Sequence, residues 1–360
     1  MKSLEQLTIK SSNSSYKVVL KGSYPINHNG KYVVIFDKNL ESYAIQYKNS
    51  NSILLPVNIS EKDKTLETCG RVLKEMAANN VNKDFEVIAI GGGAIQDIAT
   101  LVASIYMRGL NWIYIPTTTM SMMDSCIGGK SSINIDNYKN IIGNFYPPTI
   151  ILIDVNYVKT LDSIGISSGI AEALKICFAR GSKHFKEFAS SIESWRTVQS
   201  DNYLSQSIML SLGAKKYFIE VDEFDKKERK LLNFGHSFGH ALEAASNFAI
   251  PHGIGVLLGM QAAILHSKNI ESCRQLTAAI IDEFKLSEFK AKRFVIDRNL
   301  FVNALKFDKK NSSELLRLVL PDRKGRLNLT EVKLTEESLD KAFESLIESC
   351  QMLGADFEVL

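Results

Sequence analysis

Several familiar signals are scarce in this chain. It has six histidines in 360 residues, and its five cysteines (Cys69, Cys126, Cys177, Cys273, Cys350) are scattered. They form no CxxC pair and leave one over, a pattern of reduced thiols in a cytoplasmic protein rather than a disulfide scaffold. No apolar run approaches the roughly 18 residues that a membrane helix needs. The segment Met1 to Gln6 carries Glu5 and no apolar core, so it does not read as a secretory signal. Formal charge is only +3 and there is no basic tract, which argues against a nucleic-acid partner. Internal repeats and low-complexity tracts are missing, and Ser11 to Ser15 reads as a polar loop or the start of a hairpin. What remains, at 45% hydrophobic and 23% charged, is an ordinary globular composition in a chain long enough for two domains and a large core.

The histidines are unevenly placed. Three of the six fall between His236 and His252, in Asn233-Phe234-Gly235-His236-Ser237-Phe238-Gly239-His240 and Pro251-His252-Gly253. His236 and His240 stand four apart, so on a helix their imidazoles share a face. Such a pair is a common source of two nitrogen ligands for a zinc-like ion, the plainer reading being a buried polar pair beside a turn.

A second cluster begins at Phe85 to Ile90, a short apolar strand, followed by Gly91-Gly92-Gly93 and apolar residues at helical spacing from Ala94 to Tyr106. Strand, glycine turn and helix aim backbone N–H groups and the positive end of a helix dipole at a phosphate. The GxGxxG dinucleotide fingerprint is not met, so a tight structural turn is the competing reading. Asp97 is expected in the first turn of that helix, where a carboxylate is also favourable for structural reasons. Asn111 to Ile115 reads as another strand, ending at Pro116-Thr117-Thr118-Thr119. Beyond it, Gly129-Lys130-Ser131 imitates the end of a P-loop, but Asp124 occupies the place of the first glycine, and this excludes a P-loop ATPase. Lys130, Lys139 and Asn140 remain suitable donors to a phosphorylated small molecule.

The chain divides near residue 160. Before it, apolar segments at 31–36, 53–57, 87–90, 112–115 and 149–154 alternate with helical stretches such as 65–78. This predicts a Rossmann-like α/β domain over 1–160 with a largely parallel sheet. After it, amphipathic stretches at 169–178, 203–220, 240–246 and 256–268 predict an all-helical domain over 161–360. The site is expected in the cleft between domains, a common place for small-molecule pockets.

In order along the chain, GGGxxxD, YMRG, PTTxxxxxDSxxGGKxxIN, KNxIGxFYxP, GxAExxK, LNxGHxxGH and HG resemble the sugar-phosphate cyclase family that includes the 3-dehydroquinate synthases. The resemblance runs from about Glu61 to Lys310. It implies an NAD-bound enzyme with a divalent metal, zinc or cobalt, that turns a seven-carbon sugar phosphate into a carbocycle. It implies metal ligation by Glu172, His236 and His252, and gives His240 to the substrate in place of the helical pair read above. Substrate contacts are implied at Arg108, Asp124, Lys130, Asn140, Lys215, Arg229, Asn233 and one of Lys309 and Lys310, and a catalytic place at Lys175, three residues after Glu172. Arg108 is donated by the neighbouring subunit in such enzymes, which implies a homodimer. Cofactor contacts are implied at Glu61, Lys64, Gly93, Ala94, Ile95, Gln96, Asp97, Thr117, Thr118, Lys130, Lys139, Tyr157, Val158, Lys159 and Thr160.

For the dehydroquinate synthases the implied substrate is 3-deoxy-D-arabino-heptulosonate 7-phosphate, in the shikimate route to aromatic compounds. The implied course is oxidation of a carbinol, loss of phosphate, re-reduction by the same cofactor, ring opening and aldol closure. Arg229 favours a carboxylated substrate, because its guanidinium fork matches a carboxylate. Rival readings are a cyclase making inosose- or valiolone-type carbocycles, a metal-dependent alcohol dehydrogenase, and an inactive binding relative. Tyr138 before Lys139-Asn140, Cys126 in place of serine, and Pro321 to Gly325 without a closing Ile-Gly depart from the family pattern. Cys126, inside the Asp124–Lys130 loop, is expected to be sensitive to oxidation.

Overall fold

The computed structural model describes residues 6–12, 14–20, 29–59, 63–136, 138–307 and 314–360. Glu61, Lys309 and Lys310 lie outside them. In chain order the early elements are β1 (Gln6–Ile9), β2 (Tyr16–Leu20), β3 (Tyr32–Asp37), α1 (Glu41–Ala44), β4 (Ser52–Val57), α2 (Leu66–Ala78), β5 (Glu86–Gly91), α3 (Gly93–Ile105), β6 (Trp112–Pro116), β7 (Ile133–Ile135), β8 (Tyr138–Ile142) and β9 (Ile150–Ile153). The helices α4 (Ser163–Arg180), α5 (Ser182–Val198), α6 (Asp201–Val221), α7 (His236–Ala245), α8 (His252–Ser267) and α9 (Arg274–Leu286) follow. β10 (Arg293–Ile296), α10 (Arg298–Lys306), β11 (Leu315–Pro321), β12 (Leu327–Lys333), α11 (Glu336–Leu353) and β13 (Asp356–Val359) complete the chain.

Two compact units emerge, 1–160 with 200–223, and 161–199 with 224–360. In the first, a seven-stranded sheet runs β1-β2-β9-β6-β5-β3-β4. All its pairings are parallel except the edge pair β1–β2. Strands β3, β5 and β6 are buried almost throughout, which is why they read as continuous apolar runs rather than alternating ones. The chain moves outward from β3 to β4, then returns to lay β5 on the other side of β3. The carboxyl ends of β3 and β5 therefore flank the point where strand order reverses, the usual ligand crevice of such sheets. Thr65 caps α2 by accepting from the Thr68 N–H, close to the helix start that the spacing predicts.

The expected boundary at 160 needs one correction, since Ser200–Glu223 belongs with the first unit. The reason is polar anchoring. On α6, Ser211 Oγ donates to the Met123 carbonyl at 2.7 Å, and Lys215 Nζ donates to the Asp124 carbonyl at 2.7 Å.

The second unit is built around α8, where every residue from Gly253 to His266 is buried. A helix apolar on all sides belongs at a centre, and α4, α7, α9 and α11 pack against it. This unit is mainly helical but not all-helical. β10 and β13 pair in parallel, and β11 and β12 form an antiparallel ribbon. The expectation of an all-helical domain missed this ribbon, although an apolar run, the turn Asp322 to Gly325 and an alternating partner are hairpin signals. No helix among the described residues is long and apolar enough to cross a membrane.

Candidate active site

In the first unit the glycine turn joins β5 directly to α3, with Gly92 at the N-cap and no side chain capping that end. The N-terminal N–H groups of α3 are thus left for water or a ligand anion. Of the three glycines, a Cβ on Gly91 or Gly92 would strike Ile95 or Thr118, whereas one on Gly93 would find only Ser125 Oγ, at 3.9 Å. Gly91 and Gly92 therefore serve packing, and Gly93 faces space. Thr117 N donates to the Gly91 carbonyl at 3.1 Å, holding the end of β6 beside that turn. Gln96 is buried and braced by Ser125, donating to its carbonyl at 2.7 Å and accepting from its hydroxyl at 2.8 Å.

Asp97 is not in the first turn of α3 as expected; it is the helix's fifth residue and caps nothing. Its carboxylate accepts from Ser132 N at 3.0 Å and Ser132 Oγ at 3.1 Å, and pairs with Lys64 Nζ at 3.2 Å. Lys64 Nζ also donates to Asn140 Oδ1 at 2.8 Å. Burial pushes the Asp97 pKa up to about 6, with Lys64 and Ser132 opposing it. Lys64, Asp97 and Asn140 are thus one network, although 33 and 43 residues separate them in sequence. Asn140 adopts φ +55° and Tyr138 is exposed on the β7–β8 hairpin. Lys130 bridges to Phe145 through its backbone, and Lys139 is exposed.

Asp124 ends in an ion pair with Lys215 Nζ at 2.6 Å, so two expected substrate residues touch each other. Arg108 is exposed, at φ +66°. Tyr157 to Thr160 follow β9 on a 3-10 helix, with Tyr157 and Val158 buried and Lys159 exposed. The Tyr157 ring packs on Tyr43, 4.8 Å between centroids. Cys126 does not fit the expected sensitivity to oxidation. It is 1% exposed, and burial pushes its thiol pKa up to about 12, which suppresses the reactive thiolate.

In the second unit, Glu172 and Lys175 lie on one face of α4, 1% and 3% exposed, rather than forming a surface ion pair. Lys175 Nζ pairs with Glu172 Oε2. Glu172 Oε1 faces His252 Nε2 at 3.2 Å and His236 Nε2 at 3.5 Å, yet it has no well-formed hydrogen bond among the described residues. Desolvation raises the Glu172 pKa, but the Lys175 ammonium and His252 outweigh it and the carboxyl stays well below its usual range. Burial alone would push His252 down; the neighbouring Glu172 and Glu243 carboxylates reverse this and raise it to about 10.

His236 opens α7, with Gly235 at φ +78° before it, and His252 opens α8 after Pro251. A Cβ on Gly253 would lie 2.2 Å from Ser168 Cα, so only glycine lets this end of α8 close on α4 and bring His252 to Glu172. Ligand nitrogens of His236, His240 and His252 all lie within 4.8 Å of one another, with His240 the most exposed. A buried carboxylate oxygen without a well-formed hydrogen bond, facing imidazole nitrogens, is the donor set of a divalent cation site. The residues fit a metal of zinc type. The Glu243 carboxylate, 2.9 Å from His252 Nδ1, was not singled out from sequence. Its place three residues after His240, on the same helical face, was the only available clue. Arg229 is buried on a 3-10 helix that also carries Asn233, whose Nδ2 donates to the Lys230 carbonyl at 3.0 Å.

Known proteins resemble this chain over most of its length. The family model for the 3-dehydroquinate synthase N-terminal region matches residues 54–168, and that for the 3-dehydroquinate synthase C-terminal region matches 169–311. A 3-dehydroquinate synthase of Dictyoglomus thermophilum is 32% identical over 357 residues, covering 95% of this chain and 98% of the relative. One from Clostridium tetani is 34% identical over 337 residues, covering 90% and 88%. Among solved structures, 2-deoxy-scyllo-inosose synthase complexed with carbaglucose-6-phosphate, NAD+ and Co2+ superposes with TM-score 0.80 at 20% identity, covering 95% of this chain and 99% of that one. The 2-epi-5-epi-valiolone synthase of Streptomyces hygroscopicus with NAD+ and Zn2+ gives 0.77 at 22% identity, covering 92% and 97%. These two show a shared fold, while the sequence relatives and both family models show more: the chain belongs to the 3-dehydroquinate synthase family.

Proposed function

We propose that the protein converts 3-deoxy-D-arabino-heptulosonate 7-phosphate to 3-dehydroquinate with release of phosphate, using NAD and one divalent metal, as a cytoplasmic homodimer. The observation that carries the chemistry is the buried Glu172 oxygen facing His236 and His252 without a proper donor. When bound, the metal supplies polarisation of substrate oxygens, and NAD supplies a hydride acceptor that gives the hydride back within the turnover.

The protein's own residues supply binding and orientation. Glu172, His236 and His252 hold the metal, and Lys175 neutralises the second oxygen of Glu172. On the first unit, Gly93 to Asp97, Thr117, Thr118, Lys139 and Tyr157 to Thr160 hold NAD, while Lys130 and Asn140 donate to substrate phosphate. Lys64 braces Asp97 and Asn140 in that arrangement. On the second unit, Asn233 and His240 donate to phosphate and Arg229 forks onto the substrate carboxylate. Lys215 meets the substrate beside Asp124, whose charge already balances it. Arg108 serves the neighbouring subunit's substrate.

The test follows inorganic phosphate from the purified protein with the heptulosonate phosphate, NAD and zinc. Phosphate should appear while NAD is required but not consumed. Release with sedoheptulose 7-phosphate but not with the heptulosonate phosphate would move the protein to the valiolone-type branch, and net NADH would make it a dehydrogenase.

A second ligand set deserves a direct comparison, because the His240 ring lies 5.1 Å from that of His236 and 5.4 Å from that of His252. Under the proposal, Glu172→Ala or His252→Ala loses bound zinc, whereas His240→Ala keeps zinc and loses turnover. Equal zinc loss in His240→Ala would replace the carboxylate with a third imidazole.

A further inference from the structure

We propose that Glu243 is a positioning residue for the cation site: it grips His252 through Nδ1 and so turns the lone pair of Nε2 toward Glu172. This rests on the reading of Glu172, His236 and His252 as metal ligands. Glu243 Oε1 lies 2.9 Å from His252 Nδ1, while Nε2 of the same ring lies 3.2 Å from Glu172 Oε1. The two nitrogens of one imidazole thus face two different carboxylates. With a cation beside Glu172, Nε2 must give its lone pair, which leaves the proton on Nδ1 for Glu243 to accept. A carboxylate behind a ligating imidazole fixes its tautomer and strengthens it as a donor.

The neighbouring ligand is held in the same way by different means. His236 Nδ1 lies 3.3 Å from the Phe234 carbonyl, which can only accept, so that nitrogen also carries the proton. Its Nε2 is likewise the nitrogen nearer Glu172 Oε1. Both rings therefore have an acceptor behind Nδ1 and present Nε2 to one oxygen.

The fold makes room for Glu243. Its side chain is 14% exposed, and a Cβ on Gly255 would stand 3.2 Å from its Oε1 and 3.3 Å from its Cγ. Glycine at 255 lets the carboxylate lie against the first turn of α8, directly behind His252. Placed seven residues after His236 and three after His240, Glu243 shares their face of α7.

The experiment compares the full-length protein with Glu243→Ala and Glu243→Gln. Zinc affinity is measured by competition with a chelator of known strength, and the visible spectrum of the cobalt-loaded protein reports ligand geometry. Glu243→Ala should weaken zinc by roughly ten- to a hundredfold and alter the cobalt spectrum. Glu243→Gln keeps an acceptor oxygen without the charge and should lose less. Unchanged affinity and spectrum in Glu243→Ala overturn the proposal while leaving the ligand assignment intact. Zinc binding that is absent from the unaltered protein, or undiminished in His252→Ala, instead overturns the ligand assignment. Should Glu243→Ala fail to fold, long-range proton–nitrogen spectra of the zinc-loaded unaltered protein decide. A proton on His252 Nδ1 supports the proposal, and one on Nε2 overturns it.

Discussion

Under the proposed function, Arg229 is the residue on which substrate choice turns. It is 5% exposed, so its guanidinium acts where water competes weakly. Arg229→Lys keeps the charge but gives up the fork. Losing one charge-assisted hydrogen bond there costs about 1.5–3 kcal/mol, roughly ten- to more than a hundredfold in kcat/KM. The loss should appear with the carboxylated heptulosonate phosphate and nearly vanish with a substrate lacking the carboxylate. Equal losses with both would assign Arg229 to the phosphate or to the fold. Away from the site, His266 makes a prediction about acid stability. Burial, with help from Lys341, pushes its pKa from 6.5 down to about 4. Between these values the unfolded chain binds a proton that the folded chain refuses. The contribution of the neutral imidazole to stability is therefore complete above pH 6.5 and is lost as pH falls toward about 4. Denaturant midpoints measured across that range should fall steeply in the unaltered protein and less steeply in His266→Gln.

Among the elements, the meeting of α4 and α8 is the most exacting. Gly253 sits where any side chain would enter the space of Ser168, with a Cβ only 2.2 Å from its Cα. Gly253→Ala must push the start of α8 outward, at a cost of about 1–3 kcal/mol for overpacking. His252 moves with that turn, so the same variant should bind zinc more weakly while its far-UV circular dichroism stays helical. A lower denaturant midpoint with unchanged zinc affinity would show that the turn relaxes without moving His252. The helix α6 shows the opposite case, an element whose neighbours are settled by polar anchors. Its hydroxyl at Ser211 and ammonium at Lys215 reach the turn at Met123 and Asp124 of the first unit.

For the whole molecule, metal binding and stability are linked. If zinc binds only the folded chain, free zinc at a hundred times its dissociation constant adds about 2.7 kcal/mol. Thermal unfolding should shift upward with zinc and return with a chelator. Glu172→Ala should show neither response, because the carboxylate oxygen facing both imidazoles is gone. An upward shift that survives in Glu172→Ala would mean that zinc binds elsewhere.

The local order of this protein was legible from its residues. Apolar runs became β3, β5, β6 and β9 because strands covered on both faces need no alternation. Helical periodicity located α2, α3 and α8, since a helix repeats its buried face every three to four residues. The pairing of His236 with His240 followed from the same geometry, and the family motifs carried Glu172 and His252. Other arrangements depend on contacts between distant segments, which spacing does not encode. Glu172 meets His252 across 80 residues because Gly253 lets two helices close. Lys64, Asp97 and Asn140 converge because one lysine is buried between a helix and a hairpin. Lys215 finds Asp124 across 91 residues and takes α6 with it into the first unit. Glu243 carried only its helical spacing from His240 as a signal; its contact with His252 came from the packing of α7 on α8 beside Gly255. Periodicity determines which face of an element is buried, but which elements share that burial is decided by steric fit and by where buried polar atoms find partners.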